Sequence, residues 1–265
     1  MTDAMNLQRL KIAVDGRIAR VTLDRPDVRN AFDDATIVEL TAAFRALNDD
    51  ATVRVIVLAA NGPAFCAGAD LNYMKRMADY SEAENRADAL SLATMLNTIY
   101  TSAKPVIARV QGDAYAGGMG LVAACDIAVT ADSAQFCLSE ARLGLMPATI
   151  APYVIRAMGA RAAHRYFVTA ERFDANEALR IGFVHQIASA DQLDATVDAI
   201  ASAVASNSPN AVRECKLLVA DLAEKTIDEA LIADTAERIA RIRASDEGRE
   251  GVRSFLEKRK PSWLA

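Results

Sequence analysis

Apolar and polar residues in the first part of the chain follow patterns typical of strands and helices in turn. Two alternating runs, residues 9–16 and 17–25, meet at Asp15-Gly16 and predict a β-hairpin. Over residues 33–48 the apolar positions recur at helical spacing after an aspartate that can cap a helix. Val53–Ala59 is almost continuously apolar, which indicates a strand covered on both faces.

The middle of the chain predicts short elements around a glycine-rich bend. The pattern predicts helices over 72–77 and 82–102 and strands over 105–110, 127–130 and 135–137. After the strand that ends at Val110, the chain turns at Gly112 and bends at residues 116–118. This bend opens a buried helix that we expect to end near Asp126.

From about Arg156 onward the pattern is largely helical. Amphipathic spacing indicates successive helices over 193–204, 212–222 and 227–242. No repeat or low-complexity linker separates these helices from the mixed region before them. We therefore expect an α/β catalytic core over residues 1–190 and a helical region over 191–265 that serves packing or assembly.

Composition limits the class of protein. The chain has 265 residues, of which 52% are hydrophobic and 25% charged, as in ordinary soluble domains. Its longest uncharged apolar stretch, Ala114–Cys125, is too short to cross a membrane, and the N-terminus lacks the pattern of a secretion signal. The four cysteines show neither disulfide nor metal-ligand spacing. We expect a cytoplasmic protein without a metal.

The charge is unevenly distributed. The net charge is −5, but residues 238–260 contain eight Lys or Arg and four Asp or Glu, a local balance of +4 that leaves −9 elsewhere. This basic segment is either a solvated helical face or a docking site for a phosphorylated ligand. The acidic remainder disfavours nucleic-acid binding.

Two loops of small residues follow apolar strands, over residues 64–70 and 116–118. One backbone N–H from each loop could form an oxyanion hole, although the same loops also suit ordinary tight turns. Glu140 follows the strand at 135–137 and is the candidate for proton transfer, or else a helix-dipole partner. His164 and His185 have no nucleophile pattern near them, and no nucleotide-binding glycine motif is present.

Several segments in the same order resemble the enoyl-CoA hydratase (crotonase) family. They are LDRPDVRNAF at 23–32, AFCAGADL at 64–71, residues 104–127, residues 134–147, residues 168–184 and FLEKRKPSW at 255–263. The resemblance implies an α/β fold, a ClpP-like spiral of ββα turns that forms two nearly perpendicular sheets. It also implies a helical C-terminal region that drives trimer formation, with hexamers common among relatives.

The resemblance also assigns roles to residues. The oxyanion donors fall on the backbone of Ala69 and Gly117, and the proton-transfer group on Glu140. The implied contacts with the CoA thioester are Val28, Arg29, Ala67, Ala69, Asp70, Leu71, Gly117, Gly120, Phe255 and Lys258, with Lys260 beside them. The acyl-CoA is the substrate, and the resemblance implies no separate cofactor.

One position departs from the family pattern. Typical members place a second glutamate where this chain has Gly120. A subgroup that hydrates branched, carboxylated substrates such as 3-methylglutaconyl-CoA resembles this chain and shares the glycine. We therefore expect a hydro-lyase that hydrates such enoyl-CoA thioesters. Under this hypothesis Gly120 leaves space in the site. Arg76, Arg86 and Arg142 are the candidates to bind a substrate carboxylate.

Two alternatives remain open. A Δ3-Δ2 enoyl-CoA isomerase would use Glu140 alone to move a proton between carbons. A catalytically degenerate acyl-CoA-binding protein would keep the fold and the oxyanion loops without turnover.

Overall fold

The structure, a computed structural model, describes residues 7–264, which form ten strands and ten α-helices. The strands are β1 (Leu10–Asp15), β2 (Ile18–Leu23), β3 (Val55–Ala60), β4 (Ala64–Cys66), β5 (Val106–Val110), β6 (Asp113–Tyr115), β7 (Ile127–Ala131), β8 (Gln135–Cys137), β9 (Arg172–Asp174) and β10 (Gln186–Ala188). The helices are α1 (Asp34–Asp49), α2 (Leu71–Met77), α3 (Glu82–Tyr100), α4 (Gly117–Ala123), α5 (Ala151–Thr169), α6 (Ala175–Arg180), α7 (Leu193–Ser206), α8 (Pro209–Leu222), α9 (Glu229–Ala244) and α10 (Asp246–Leu256). Short 3-10 helices lie at Pro26–Val28, Glu140–Leu143 and Ser262–Leu264.

The strands form two sheets that the chain visits in turn. The six-stranded sheet has the order β1-β2-β3-β5-β7-β10, and the four-stranded sheet has the order β4-β6-β8-β9. In the pairs β3–β4, β5–β6 and β7–β8, the first strand joins the large sheet and the second joins the small sheet. A helix follows each pair, so the chain makes successive ββα turns, as the family resemblance implies.

The small sheet aligns the ends of three strands. β4 pairs in parallel with β6, and β6 pairs in parallel with β8, with Tyr115 opposite Cys137. Carboxyl ends of parallel strands lie at the same edge of a sheet. The loops that follow Cys66, Tyr115 and Cys137 therefore meet at one edge.

Two apolar clusters hold the layers together. The larger cluster joins the inner face of the large sheet to the small sheet and to α1, α3, α4 and α5. The smaller cluster covers the other face, where Leu193, Val197 and Ala201 of α7 pack against Val57 and Ile107. The first helix of the C-terminal region thus lies directly on the core, whereas α8 and α9 have no buried residue. None of the described helices is long and apolar enough to span a membrane.

Most predicted elements are present, with small shifts. The hairpin is confirmed, but its loop is Gly16-Arg17 because Asp15 pairs with Ile18. Gly16 has a φ of +54°, a conformation that glycine adopts without steric cost. The α1 cap is Asp33, whose carboxylate accepts from the Thr36 N–H at 2.9 Å. The sequence pattern missed β4, β6, β9 and β10, all three-residue strands, and the separate helix α10.

A charged pair links the C-terminal helices to the core. Lys216 of α8 lies 2.8 Å from the Asp126 carboxylate, between α4 and β7. The same carboxylate oxygen accepts from the Val106 N–H at 2.7 Å. Burial raises the pKa of Asp126, and the Lys216 ammonium offsets part of this rise. The Lys216 ammonium and the Val106 N–H therefore both favour the charged form of Asp126.

We predict that Lys216→Met destabilises the protein by about 2 kcal/mol, because a half-buried carboxylate loses its partner. In a protein of this size that corresponds to a fall in melting temperature of roughly 4–8 °C. Arg213→Met is the matched control, since Arg213 lies on the same helix in an exposed pair with Glu214 and should change the melting temperature by less than about 2 °C. Equal effects in thermal denaturation would contradict this account of the pair.

Candidate active site

Three loops from the edge of the small sheet bring the candidate groups together. Ala69 lies three residues after β4, Gly117 directly opens α4 after β6, and Glu140 lies three residues after β8. The Ala116 N–H donates to the Cys137 carbonyl at 2.8 Å, which extends the β6–β8 ladder to the start of the glycine bend. Backbone pairing alone thus brings the three loops side by side.

Neighbouring hydrogen bonds hold the loop around Ala69. The Ala67 N–H donates to the Arg29 carbonyl at 3.0 Å, and the Asp70 N–H donates to the Phe32 carbonyl at 2.9 Å. Between these two anchors, the Ala69 N–H donates no hydrogen bond to any of residues 7–264. It is a backbone donor held in a fixed position, and a ligand oxygen can accept a hydrogen bond from it.

The glycine bend supplies a second donor of the same kind. Gly117 is the first residue of α4, and its N–H has no acceptor within the described chain. Ala116 before it has φ +47° and ψ −119°, a strained conformation for a residue with a side chain. Such strain persists where surrounding structure enforces it, often at functional sites.

The two loops are in contact. A Cβ on Gly68 would lie 3.1 Å from the Ala116 Cβ and 3.8 Å from the Gly117 nitrogen. A Cβ on Gly118 would lie 2.4 Å from the Cys66 carbonyl oxygen. Only residues without side chains allow this approach, so the glycines fix the two free N–H groups close together.

Glu140 adds one carboxylate at the same edge of the small sheet. It begins the 3-10 helix Glu140–Leu143 and is half-buried. Its Oε2 atom is buried and has no hydrogen-bond partner among the described residues. Burial raises the pKa of Glu140, and the N–H of its own backbone offsets part of the rise. A carboxylate with a buried oxygen that has no fixed hydrogen-bond donor is suited to proton transfer.

The expectation that Gly120 leaves space in the site is wrong. A Cβ on Gly120 would lie 2.3 Å from Cγ2 of Ile150 and 2.9 Å from its Cβ. Ile150 precedes α5 and is only 2% exposed. An apolar side chain therefore fills the position that a second carboxylate would need. The sequence analysis missed Ile150, since an isoleucine before a helix has no distinctive pattern.

The structure brings some of the predicted CoA contacts together. Val28 and Arg29 are exposed on the segment after β2, and the Arg29 carbonyl bonds to Ala67. Leu71 is 75% exposed at the start of α2. The side chain of Asp70 is already bonded, because it caps α2 and lies 3.0 Å from Arg25. Its backbone is bonded as well, since the Asp70 N–H donates to Phe32 and its carbonyl accepts from Met74, so Asp70 has no free donor for CoA.

Phe255 and Lys258 do not join this group within one chain. They lie in and after α10, which packs at Gly251 against Trp263. The Trp263 carbonyl accepts from Arg54, directly before β3. Val28 lies beyond the opposite end of the neighbouring strand β2, about 20 Å away along the strand direction. The structure therefore does not place Lys258 and Phe255 beside Val28 within one chain.

The arginines suggested for a substrate carboxylate are placed differently. Arg76 pairs with Asp34 at 3.0 Å, and Arg142 donates to the Ala170 carbonyl. Arg86 is exposed and has no ion pair within residues 7–264. None of the three forms an ion pair or hydrogen bond with Glu140 within residues 7–264. The sequence analysis did not single out Arg25, whose guanidinium lies between Asp33 and Asp70.

Other candidate features have structural roles. The His185 ring accepts from the Ala128 N–H at 3.1 Å, and His164 is exposed on α5. All four cysteines are free thiols. The described residues contain no group of His, Cys, Asp and Glu that could hold a metal ion. A cleft of about 290 Å³ lies beside α8 and α9. Charged side chains that line it form ion pairs with one another, as Arg238 does with Asp221.

Comparison with known proteins identifies the family. A family model described as enoyl-CoA hydratase/isomerase matches residues 14–265. A crystal structure of an enoyl-CoA hydratase from Shewanella pealeana has a TM-score of 0.94 and 44% identity, covering 97% of each chain. The short-chain-enoyl-CoA hydratase of Clostridium acetobutylicum is 31% identical over 97% of both chains. The mevalonyl-coenzyme A hydratase of Aspergillus fumigatus is 33% identical over 93% of this chain and 91% of its own. This chain therefore belongs to the enoyl-CoA hydratase/isomerase (crotonase) family.

Proposed function

We propose that the protein adds water across the α,β double bond of a branched, carboxylated enoyl-CoA such as 3-methylglutaconyl-CoA. The observation that supports this most directly is the buried, unpartnered Oε2 atom of Glu140 at the sheet edge that also presents two free backbone N–H groups. The four free thiols suit the reducing cytoplasm, where we expect the reaction to occur.

In the proposed mechanism, the thioester carbonyl accepts hydrogen bonds from the N–H groups of Ala69 and Gly117. Glu140 removes a proton from water as the oxygen forms a bond to the β carbon. The π electrons move to the thioester oxygen, and the two N–H groups stabilise the resulting enolate. Glu140 then returns its proton to the α carbon, so water adds to one face of the double bond and the carboxylate is regenerated.

The position of Ile150 supports a single-carboxylate mechanism. Because its side chain fills the space that a Cβ at Gly120 would need, Glu140 is the one carboxylate at the two positions where typical family members have glutamates. The similarity to a mevalonyl-coenzyme A hydratase supports a branched acyl group, since mevalonyl is methyl-branched.

The single carboxylate also favours a second candidate, the Δ3-Δ2 enoyl-CoA isomerase. That reaction needs one group to remove a proton at the α carbon and return it at the γ carbon, and it needs no water. Glu140 and the same two donors would suffice.

We predict that Glu140→Gln lowers kcat for hydration by about 10²–10⁴-fold, because the amide cannot accept the proton. Binding of crotonyl-CoA, measured by calorimetry, should remain within about threefold. In the unaltered protein kcat/KM should fall with decreasing pH through a pKa above the ordinary glutamate value of about 4.3, since burial disfavours the charged base. A binding protein without catalysis would show no turnover for the variant to abolish.

We predict that a substrate panel separates the candidate reactions. The panel contains crotonyl-CoA, 3-methylcrotonyl-CoA, 3-methylglutaconyl-CoA and a 3-enoyl-CoA, and product analysis follows hydration and isomerisation separately. The expected result is the highest kcat/KM for hydration of 3-methylglutaconyl-CoA. Conversion of the 3-enoyl-CoA alone would identify an isomerase. Preference for crotonyl-CoA over both branched substrates would contradict the substrate class but not the hydratase reaction.

We further propose that the protein assembles as trimers or as hexamers built from trimers. The amphipathic helices α8 and α9 have no buried residue in one chain, and Phe255 is 82% exposed. In this arrangement Phe255 and Lys258 of one copy complete the CoA site of another. Lys258 then offers its ammonium to a CoA phosphate.

We predict that Lys258→Glu raises KM for the CoA ester several-fold, whereas Lys225→Glu, at an exposed lysine between α8 and α9, changes it little. Assemblies formed by co-expressing Glu140→Gln chains with Lys258→Glu chains should recover activity at low substrate concentration, since some sites then contain both intact residues. Absence of recovery in verified mixed assemblies would show that both residues act within one chain. Sedimentation should give a mass of three or six protomers.

A further inference from the structure

Arg25 binds three groups on different segments around the oxyanion loop. One guanidinium nitrogen lies 3.0 Å from Asp70, and the other lies 3.3 Å from Asp33 and donates to the Ala31 carbonyl at 2.6 Å. The Arg25 side chain is 17% exposed, and the two carboxylates are 12% and 9% exposed. The arginine is thus held in one orientation by charged groups largely removed from water.

The Ala31 carbonyl starts a chain of hydrogen-bonded peptide groups. The carbonyl of Ala31 and the N–H of Phe32 belong to one planar peptide and point in opposite directions. The Phe32 N–H donates to the Gly68 carbonyl at 2.8 Å. Gly68 shares its own peptide plane with the Ala69 N–H, the first of the two free donors.

We propose that Arg25 is a positioning residue that aims and polarises the Ala69 N–H through these two peptide planes. A cation that donates to one end of a hydrogen-bonded chain strengthens the donors further along it. Each peptide is planar, so a fixed Ala31 carbonyl fixes the direction of the Phe32 N–H, and the Gly68 carbonyl then fixes the Ala69 N–H.

Asp70 supports the same alignment from the other side of Ala69. Its Oδ1 atom accepts from the Asn72 N–H at 2.8 Å, while its Oδ2 atom faces Arg25. One carboxylate therefore connects the start of α2 with Arg25. Burial acts to raise the pKa of Asp70, but the backbone donors of α2 and the Arg25 guanidinium outweigh it and lower the pKa, so the link remains charged.

This proposal rests on the proposed function, because it assumes that Ala69 donates to the thioester oxygen. Its test is therefore made in a Glu140→Gln background, in which crotonyl-CoA stays bound without turnover. The readout is the infrared C=O stretch of crotonyl-CoA labelled with carbon-13 at the thioester carbonyl. A polarised carbonyl absorbs at lower frequency than the free thioester.

We predict that Arg25→Met in this background moves the bound C=O stretch back towards the frequency of free crotonyl-CoA. In the chain with Glu140 intact, Arg25→Met should lower kcat about 10- to 100-fold with KM within about threefold, the size expected for a misaligned donor. Arg25→Lys, which retains a cation, should give an intermediate frequency.

Arg9→Met is the matched control. Arg9 lies 3.2 Å from the same Asp33 carboxylate but bonds to neither Ala31 nor Asp70. It should lower stability to a similar degree and leave the C=O frequency unchanged. If Arg25→Met does not fold, the frequency shift in Arg25→Lys tests the positioning role instead.

The possible outcomes separate the two claims. A shifted C=O stretch in Glu140→Gln that neither Arg25 variant changes would overturn the positioning role and leave the oxyanion hole intact. A bound C=O stretch in Glu140→Gln equal to that of the free ester would contradict the oxyanion hole itself, and with it the proposed function.

Discussion

The parallel pairing of β4, β6 and β8 is the constraint on which the active site depends. These strands have three residues each, and their ladder puts the ends of three distant segments at one sheet edge. The free N–H groups of Ala69 and Gly117 and the Glu140 carboxylate then lie within two or three residues of a fixed backbone position. Strand pairing, which is insensitive to surface side chains, sets the geometry, so the chemistry can vary through the loops alone.

Close backbone approach is the second requirement, and it explains several glycines by contact rather than by flexibility. Gly118 lies against the Cys66 carbonyl, and Gly117 lies against the Phe32 ring. A methyl group at Gly118 would force the two loops apart and with them the donors, and one at Gly117 would displace the Phe32 ring. The strained Ala116 is tolerated because the β6–β8 ladder and the first turn of α4 hold it from both sides.

The sequence predicts the long elements well because their periodicity spans many residues. It predicts the helix over 33–48, the strand near Val53–Ala59 and the strand over 105–110, and the structure contains all three within two residues at each end. It misses β4 and β6 because three residues are too few to show a period. The pattern indicates the two small-residue loops and Glu140 as candidates, and the family resemblance assigns the donors to Ala69 and Gly117. Neither the sequence pattern nor the family resemblance predicts side-chain packing. The contact between Ile150 and the position of Gly120 is visible only when α5 is folded against α4.

The unpartnered Glu140 shows how stability and function oppose each other here. A buried carboxylate oxygen without a donor lowers stability, and its cost is of the order of 1–3 kcal/mol. A residue selected for folding alone would bond to a neighbour, as Asp70 and Asp126 do. Within residues 7–264, Glu140 is the only carboxylate with a buried oxygen that has no hydrogen-bond partner. Asp70 and Asp126, which have fixed donors, hold segments together, whereas Glu140 is available to exchange a proton. Arg25 is the opposite case, because its two terminal nitrogens are bonded to Asp33, Asp70 and the Ala31 carbonyl. The role that we propose for it is therefore to hold other groups in place.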